Sequence, residues 1–243
     1  MSSTRDFTLR LEDVDTNYEL TNKALLALME NTADEDFAKV DDDIMSLNSQ
    51  GLSWVIVEWN LQVIARSKYH ERIRVKTWTR EVGARFIWRD FEVCSGKKLI
   101  AIASSKWMII DLTKKSIIRL DNKRTAKYQV EDRSAFQKPP ANRLKANIMY
   151  DEIAPAIIRK SDIDLNGHIH NLAYLDLIKE LVPHEPNAIR IIFHREIKYD
   201  DKVIIKIAKD TPTSQIAIVD QNDKVYSLIS LTEAISNTEE THY

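Results

Sequence analysis

The chain has 243 residues, of which 44% are hydrophobic and 30% charged, with a formal net charge of −2. That composition excludes a disordered or fibrous chain, and no run of about 18 apolar residues offers a membrane span. The single cysteine, Cys94, excludes an internal disulfide and any multi-cysteine metal site, so a reducing cytoplasm is the expected location.

The opening MSSTRDFTLRLEDVD lacks an apolar core and reads as neither secretory signal nor transit peptide. Leu25, Met29, Ala33, Phe37 and Val40 then recur every three or four residues, which predicts a helix over about 20–40. Asp41-Asp42-Asp43 marks its exit. From Trp54 the period becomes two: Val55, Val57, Trp59, Leu61 and Val63 alternate with polar residues, as in a half-buried strand. Further strands are predicted at 72–80, 84–94, 98–111 and 115–120, with Ser95-Gly96-Lys97 as a hairpin turn. Residues 121–147 are polar, contain Pro139-Pro140, and read as a linker with one irregular helix. Helical spacing returns at Leu172, Leu175, Ile178 and Val182, ending at Pro183. Strands follow at about 188–198, 202–209, 213–220 and 224–234.

The order is helix then strands, linker, helix then strands, which suggests an internal duplication. Ser67–Ile73 lies over Ile197–Val203, placing Tyr69 over Tyr199, 130 residues on; Lys98–Ile102 lies over Lys224–Leu228, 126 residues on. A helix and one antiparallel sheet can bury each other's apolar faces when the sheet curls, and two such units can hide edge strands by joining edges. The division predicted is a first unit at 1–120, a linker at 121–147 and a second unit at 148–243.

Charge is unevenly spread. Residues 1–50 carry 12 acidic and 4 basic side chains, residues 66–98 carry 10 basic and 4 acidic, and residues 121–147 carry 7 basic and 3 acidic. A basic middle suggests an anionic partner, against the plainer reading of solvated faces. No phosphate-cradling glycine loop and no zinc-finger spacing occurs, so no cofactor, metal or nucleic acid is expected.

The stretch richest in chemistry is Ser161-Asp162-Ile163-Asp164-Leu165-Asn166-Gly167-His168-Ile169-His170-Asn171-Leu172-Ala173-Tyr174. It sets carboxylates, amides and imidazoles in a turn ahead of a helix, with Asn171 as candidate N-cap and free helix N–H groups suited to an oxyanion. Asp-x-Asn-x-His followed by Asn and Tyr resembles the motif of plant and bacterial acyl-acyl-carrier-protein thioesterases. The looser Asp-x-x-Gly-His pattern is shared by many hotdog thioesterases. Arg85–Phe91, Ser105–Ile109 and His194-Arg195-Glu196 resemble strands of the same family, the last its Arg-Glu element.

The resemblance implies an α+β tandem hotdog, with long helices wrapped by a continuous antiparallel sheet. It also implies hydrolysis of fatty acyl-carrier protein within fatty acid biosynthesis. By it Asp164, Asn166, His168 and Glu196 form the catalytic network, Glu196 as base and Asp164 fixing Asn166 and His168; the reverse assignment and direct attack by Asp164 stay open. The cysteine that follows Arg-Glu in many plant relatives is here Ile197, and the family's paired Asn is His170-Asn171, with His170 read as a surface residue. Arg66 aligns with Glu196, and the first helix lacks an Asp-x-Asn-x-His lead-in, so the first half is expected to house the acyl chain. The alternatives are an acyl-CoA thioesterase and a non-catalytic acyl-thioester-binding module. A fused pair already mimics a dimer, so a monomer or a homodimer is expected.

Overall fold

A computed structural model describes residues 2–137, 144–182, 184–210 and 212–233. Pro139-Pro140, Pro183 and the end of the last predicted strand lie outside them. The elements are β1 (Ser3–Thr8), α1 (Asn22–Ala38), α2 (Ile44–Asn48), β2 (Leu52–Val63), β3 (Arg72–Val82), β4 (Ile87–Ser95), β5 (Lys98–Asp111), β6 (Ser116–Ile117), α3 (Asn122–Thr125), β7 (Glu152–Ala156), α4 (Ala173–Ile178), β8 (Ala188–Phe193), β9 (Val203–Asp210), β10 (Thr213–Asp220) and β11 (Val225–Thr232). The strands form one sheet in the order β1-β3-β4-β5-β2-β8-β11-β10-β9-β7, with β6 beside β5.

This order is the same five-strand pattern twice, joined edge to edge through β2 and β8. Strand registers carry the repeat further than sequence does. The β4–β5 ladder slips by one residue at Val93/Cys94, and the β10–β11 ladder slips at the corresponding Ile218/Val219. Ile64 and Ala65 both donate to Ile100 O where β2 ends; His194 and Arg195 both donate to Tyr226 O where β8 ends. The second arrangement takes the chain out of the ladder at Phe193, so the predicted strand at 188–198 stops five residues early and Glu196 lies beyond it.

α1 starts at Thr21, whose Oγ1 accepts from Ala24 N at 3.2 Å. Its buried face, Leu25, Leu26, Met29, Ala33 and Phe37, packs against the concave side of the first half-sheet. Phe37 stacks on Trp54 at 4.5 Å, and Trp59 meets Phe91 at 5.3 Å. Arg89 is the one cation in the fully buried set: it donates to Asp36 Oδ2 at 2.5 Å and lies 4.6 Å over the Phe37 ring.

Two expectations need correction. The second helix is α4 with only a 3-10 turn (Lys179–Leu181) after it, not a long helix reaching 183. The strand at 115–120 shrinks to two residues. Part of the basic middle is paired inside the chain: Arg74 with Asp6 (2.7 Å), Arg89 with Asp36, Lys127 with Asp42 (2.9 Å), and Arg133 with Glu92 (3.1 Å). Three of these pairs join the acidic first fifty residues to the basic middle. Nor is the linker simply solvated. Trp78 Nε1 donates to Arg133 O at 3.0 Å and Arg133 covers the Trp78 ring, while Leu144 and Tyr150 pack on Ala217, Val219 and Leu228.

Candidate active site

The turn ahead of α4 is built by its own side chains. Arg159 N donates to Asp162 Oδ2 at 2.7 Å. Asp164 Oδ1 then accepts from Asn166 N (2.8 Å) and His168 N (3.2 Å), and Asp164 N donates to His168 O (2.8 Å). The reversal requires a positive φ at Gly167 (+80°), where a glycine carries no steric cost. Ile169 N donates to Ile197 O at 2.8 Å, and this bond lays the turn beside the segment that follows β8.

The consequence is the central contact of the site: His168 Nε2 lies 2.9 Å from Glu196 Oε2. His168 is 22% exposed and Glu196 50% exposed, so the pair is reachable by water and by substrate. Around it, Tyr174 is buried and its hydroxyl donates to Arg195 O at 3.3 Å. Arg195 is itself held by Asp220 (2.8 Å) and Lys224 O (2.9 Å) and lies 4.2 Å over the Tyr226 ring. The peptide bearing Glu196 is therefore fixed from both sides.

The four sequence candidates do not play equal geometric parts. His168 and Glu196 touch. Asp164 faces inward to the turn's amides. Asn166 is exposed, and its side chain makes no hydrogen bond among the described residues, which leaves its amide available to a ligand. Asn171 does not cap α4 with its side chain. No side chain caps α4; His170 is exposed, and its Nδ1 accepts from Leu172 N at 3.2 Å within the turn ahead of the helix. Burial holds its imidazole below the usual histidine range, partly opposed by the Asp164 charge. The Asn171 N–H makes no hydrogen bond among the described residues and is the free amide at this helix start.

Sequence reading missed how much of this turn the first half retains. Asp15-Thr16-Asn17-Tyr18-Glu19 folds the same way: Asp15 Oδ1 accepts from Asn17 N (2.8 Å) and Glu19 N (2.9 Å), and Tyr18 takes the positive φ (61°). The Asp and Asn of the lead-in are kept, Glu19 replaces the histidine, and Arg66 replaces Glu196. Asp15, Asn17, Glu19, Asn22, Arg66 and His184 line a cleft of about 800 Å³ there. It is not the chemical cleft. Arg66 donates to Leu20 O, Asn22 Oδ1, Glu185 O and Pro186 O at 2.8–3.1 Å, and a guanidinium cannot accept a proton at neutral pH.

A carboxylate against an imidazole, a free amide at a helix start and an exposed carboxamide form a set able to activate water against a carbonyl. The model for the acyl-ACP thioesterase N-terminal domain matches residues 1–128, and that for the C-terminal domain matches residues 146–239. Oleoyl-acyl carrier protein thioesterase 2, chloroplastic, of Arabidopsis thaliana is 23% identical over 190 residues, covering 71% of this chain and 52% of the relative. The chain spans about half the length of such curated relatives. Among solved structures, an acyl-ACP thioesterase from Bacteroides thetaiotaomicron superposes with a TM-score of 0.83 at 22% identity, covering 95% of this chain and 97% of that one. The 12:0-ACP thioesterase from Umbellularia californica gives 0.79 at 15% identity, covering 96% of each. The fold is thus the tandem hotdog, and on the match of both domain models the chain belongs to the acyl-ACP thioesterase family.

Proposed function

We propose that the chain hydrolyses the thioester of a fatty acyl-acyl-carrier protein, releasing fatty acid and the carrier's thiol, as an enzyme of fatty acid biosynthesis. The observation that supports this reading most directly is the 2.9 Å contact of His168 with Glu196 inside the family's own motif. In this mechanism the His168 Nε2–H donates to one Glu196 oxygen, orienting the carboxylate. The other oxygen takes a proton from water as the water oxygen bonds to the thioester carbon. The Asn171 N–H and the Asn166 carboxamide hydrogen-bond the oxyanion. The intermediate expels the thiolate, Glu196 returns the proton to sulfur, and the carboxylate is regenerated. General-base action is worth roughly 10²–10⁴-fold and one oxyanion donor about 2.7–4 kcal/mol. Asp164 acts by shaping the turn.

In this reading residues 1–120 house the acyl chain against α1, residues 121–147 connect, and residues 148–243 carry the chemistry. Arg66 in place of a second base supports a single reactive centre. The location proposed is a reducing one such as the cytoplasm, resting on the lone cysteine. Among the described residues no helix is long and apolar enough to cross a membrane.

The test is fatty acid release from a chain-length panel of acyl-carrier proteins beside matched acyl-CoAs. Faster turnover of the carrier-protein forms is expected. Cleavage of CoA forms alone would move the substrate and keep the mechanism; binding without cleavage of either would overturn the catalytic reading.

A further inference from the structure

Between α1 and the inner face of β2 sits a polar pair with no assigned task. Glu30 lies midway along α1, its side chain 17% exposed. Its Oε1 is buried and has no hydrogen-bond partner, and the same holds for the indole Nε1 of Trp59, a fully buried residue on β2. The two groups are neighbours: the indole N–H favours the ionised form of Glu30, yet they form no hydrogen bond of normal geometry. The Trp59 ring lies 5.3 Å from the Phe91 ring, and both belong to the hydrophobic core. Burial outweighs the indole and pushes the Glu30 carboxyl up to about 8, so at neutral pH it is chiefly a neutral acid.

Their position ties them to the reactive centre. Glu30 Oε2 lies 3.8 Å from His170 Nε2, across the junction of the halves and two residues from His168. Because His170 Nδ1 accepts from Leu172 N, its Nε2 carries the hydrogen and points toward Glu30, at a distance too long for a hydrogen bond. The repeat gives a second bearing. Glu30 lies fifteen residues after Asp15, as Lys179 lies fifteen after Asp164, and Lys179 lines the cleft of the first-half turn. By that relation Glu30 holds, toward the turn of the second half, the place that Lys179 holds toward the turn of the first.

We propose that Glu30 and Trp59 form a hydrogen-bonding subsite for an oxygen substituent near the thioester end of the acyl chain, so that hydroxyacyl thioesters are preferred over saturated ones. The inference rests on the thioesterase reading above and names its substrate class. A hydroxyl oxygen accepts from the indole N–H while its hydrogen is donated to the Glu30 carbonyl oxygen. A methylene in the same place leaves both protein groups buried without partners. Sites built to bind a hydroxyl discriminate strongly against the analogue that lacks it.

The experiment compares kcat/KM for 3-hydroxyacyl- and saturated acyl-carrier proteins of equal carbon number, over several lengths, with the full chain. The wild type should favour the hydroxylated chain by at least about tenfold. Trp59→Phe, which removes the N–H at little cost in volume, and Glu30→Leu should each bring the ratio close to one, whereas Glu30→Gln should preserve a preference. Should Trp59→Phe not fold, the Glu30 variants decide alone. Equal or better turnover of saturated chains by the wild type, or a ratio that neither variant moves, overturns the proposal. If the wild type cleaves no thioester, the hydrolytic reading fails by itself. The subsite is then judged by displacement of a fluorescent fatty acid: tighter binding of 3-hydroxy than of saturated free acids supports it, and equal binding overturns it.

Discussion

Asn60 and Arg190 face each other across β2 and β8, and each is the other's counterpart in the 130-residue repeat. The approximate two-fold axis relating the halves therefore passes through this cross-strand pair. Beside it Glu58 and Arg190, both less than one-fifth exposed, join the halves at 2.9 Å. The five paired strands and the turn of one half thus have counterparts in the other, and the departures from symmetry at the turns bear on function.

The first such departure is Glu196. Glu196→Gln retains shape and loses the base, so a folded protein with turnover lowered by about 10²–10⁴-fold is expected. Circular dichroism beside single-turnover hydrolysis checks both halves of that statement. A rate within threefold of wild type would rule Glu196 out as base.

Asp164 makes a sharper distinction, because its Oδ1 serves two backbone amides. Asp164→Asn keeps that acceptor and should retain activity within about tenfold, while Asp164→Ala should lose most of it. A dead Asn variant with an intact fold would make the Asp164 carboxylate a direct participant in the reaction.

Cys94 is on β4, in the half without the reactive turn. Burial, followed by the charge of Glu92, raises its thiol above the usual range despite Arg74 nearby. Thiolate is the reactive form, so Cys94→Ser should leave kcat essentially unchanged and thiol-blocking reagents should not inhibit. Loss of turnover on blocking would revive a thiol mechanism.

Glu30 predicts a pH dependence of stability. Its folded-state value is raised to about 8 from 4.5, so the folded protein holds a proton that the unfolded chain releases. Stability is therefore fully present below about pH 4.5 and lost as pH rises toward 8, at up to about 1.4 kcal/mol per unit. Urea midpoints of wild type and Glu30→Gln across pH 5–8 should diverge, the wild type falling relative to the variant. Parallel curves would count against a buried acid.

Removing Asp36 leaves Arg89 charged and buried without its carboxylate. Asp36→Ala is expected to destabilise by about 3–5 kcal/mol, read as a lower urea midpoint at unchanged slope.

Strands with period-two burial and the long helix α1 were legible because their apolar residues mark one face. The edge strands β1 and β7 were not: Ser3–Thr8 is mostly polar, and only its register with β3 defines it. The second helix was overestimated because Leu175, Ile178 and Val182 keep helical spacing although the chain tightens into a 3-10 turn after Ile178. In the site, the turn was legible since its residues are contiguous. Glu30 was not, since a lone glutamate on a helix reads as a solvated residue until a histidine 140 positions away arrives beside it. Tyr18 in the glycine's place and Glu19 in the histidine's concealed the retained first-half turn.

The ladder between β2 and β8 makes the covalent link between the halves secondary to their hydrogen bonds. A version of this protein expressed as two separate polypeptides, each ending near the linker, should reassociate into a pseudo-dimer, and neither polypeptide alone should stay in solution with its central strand uncovered.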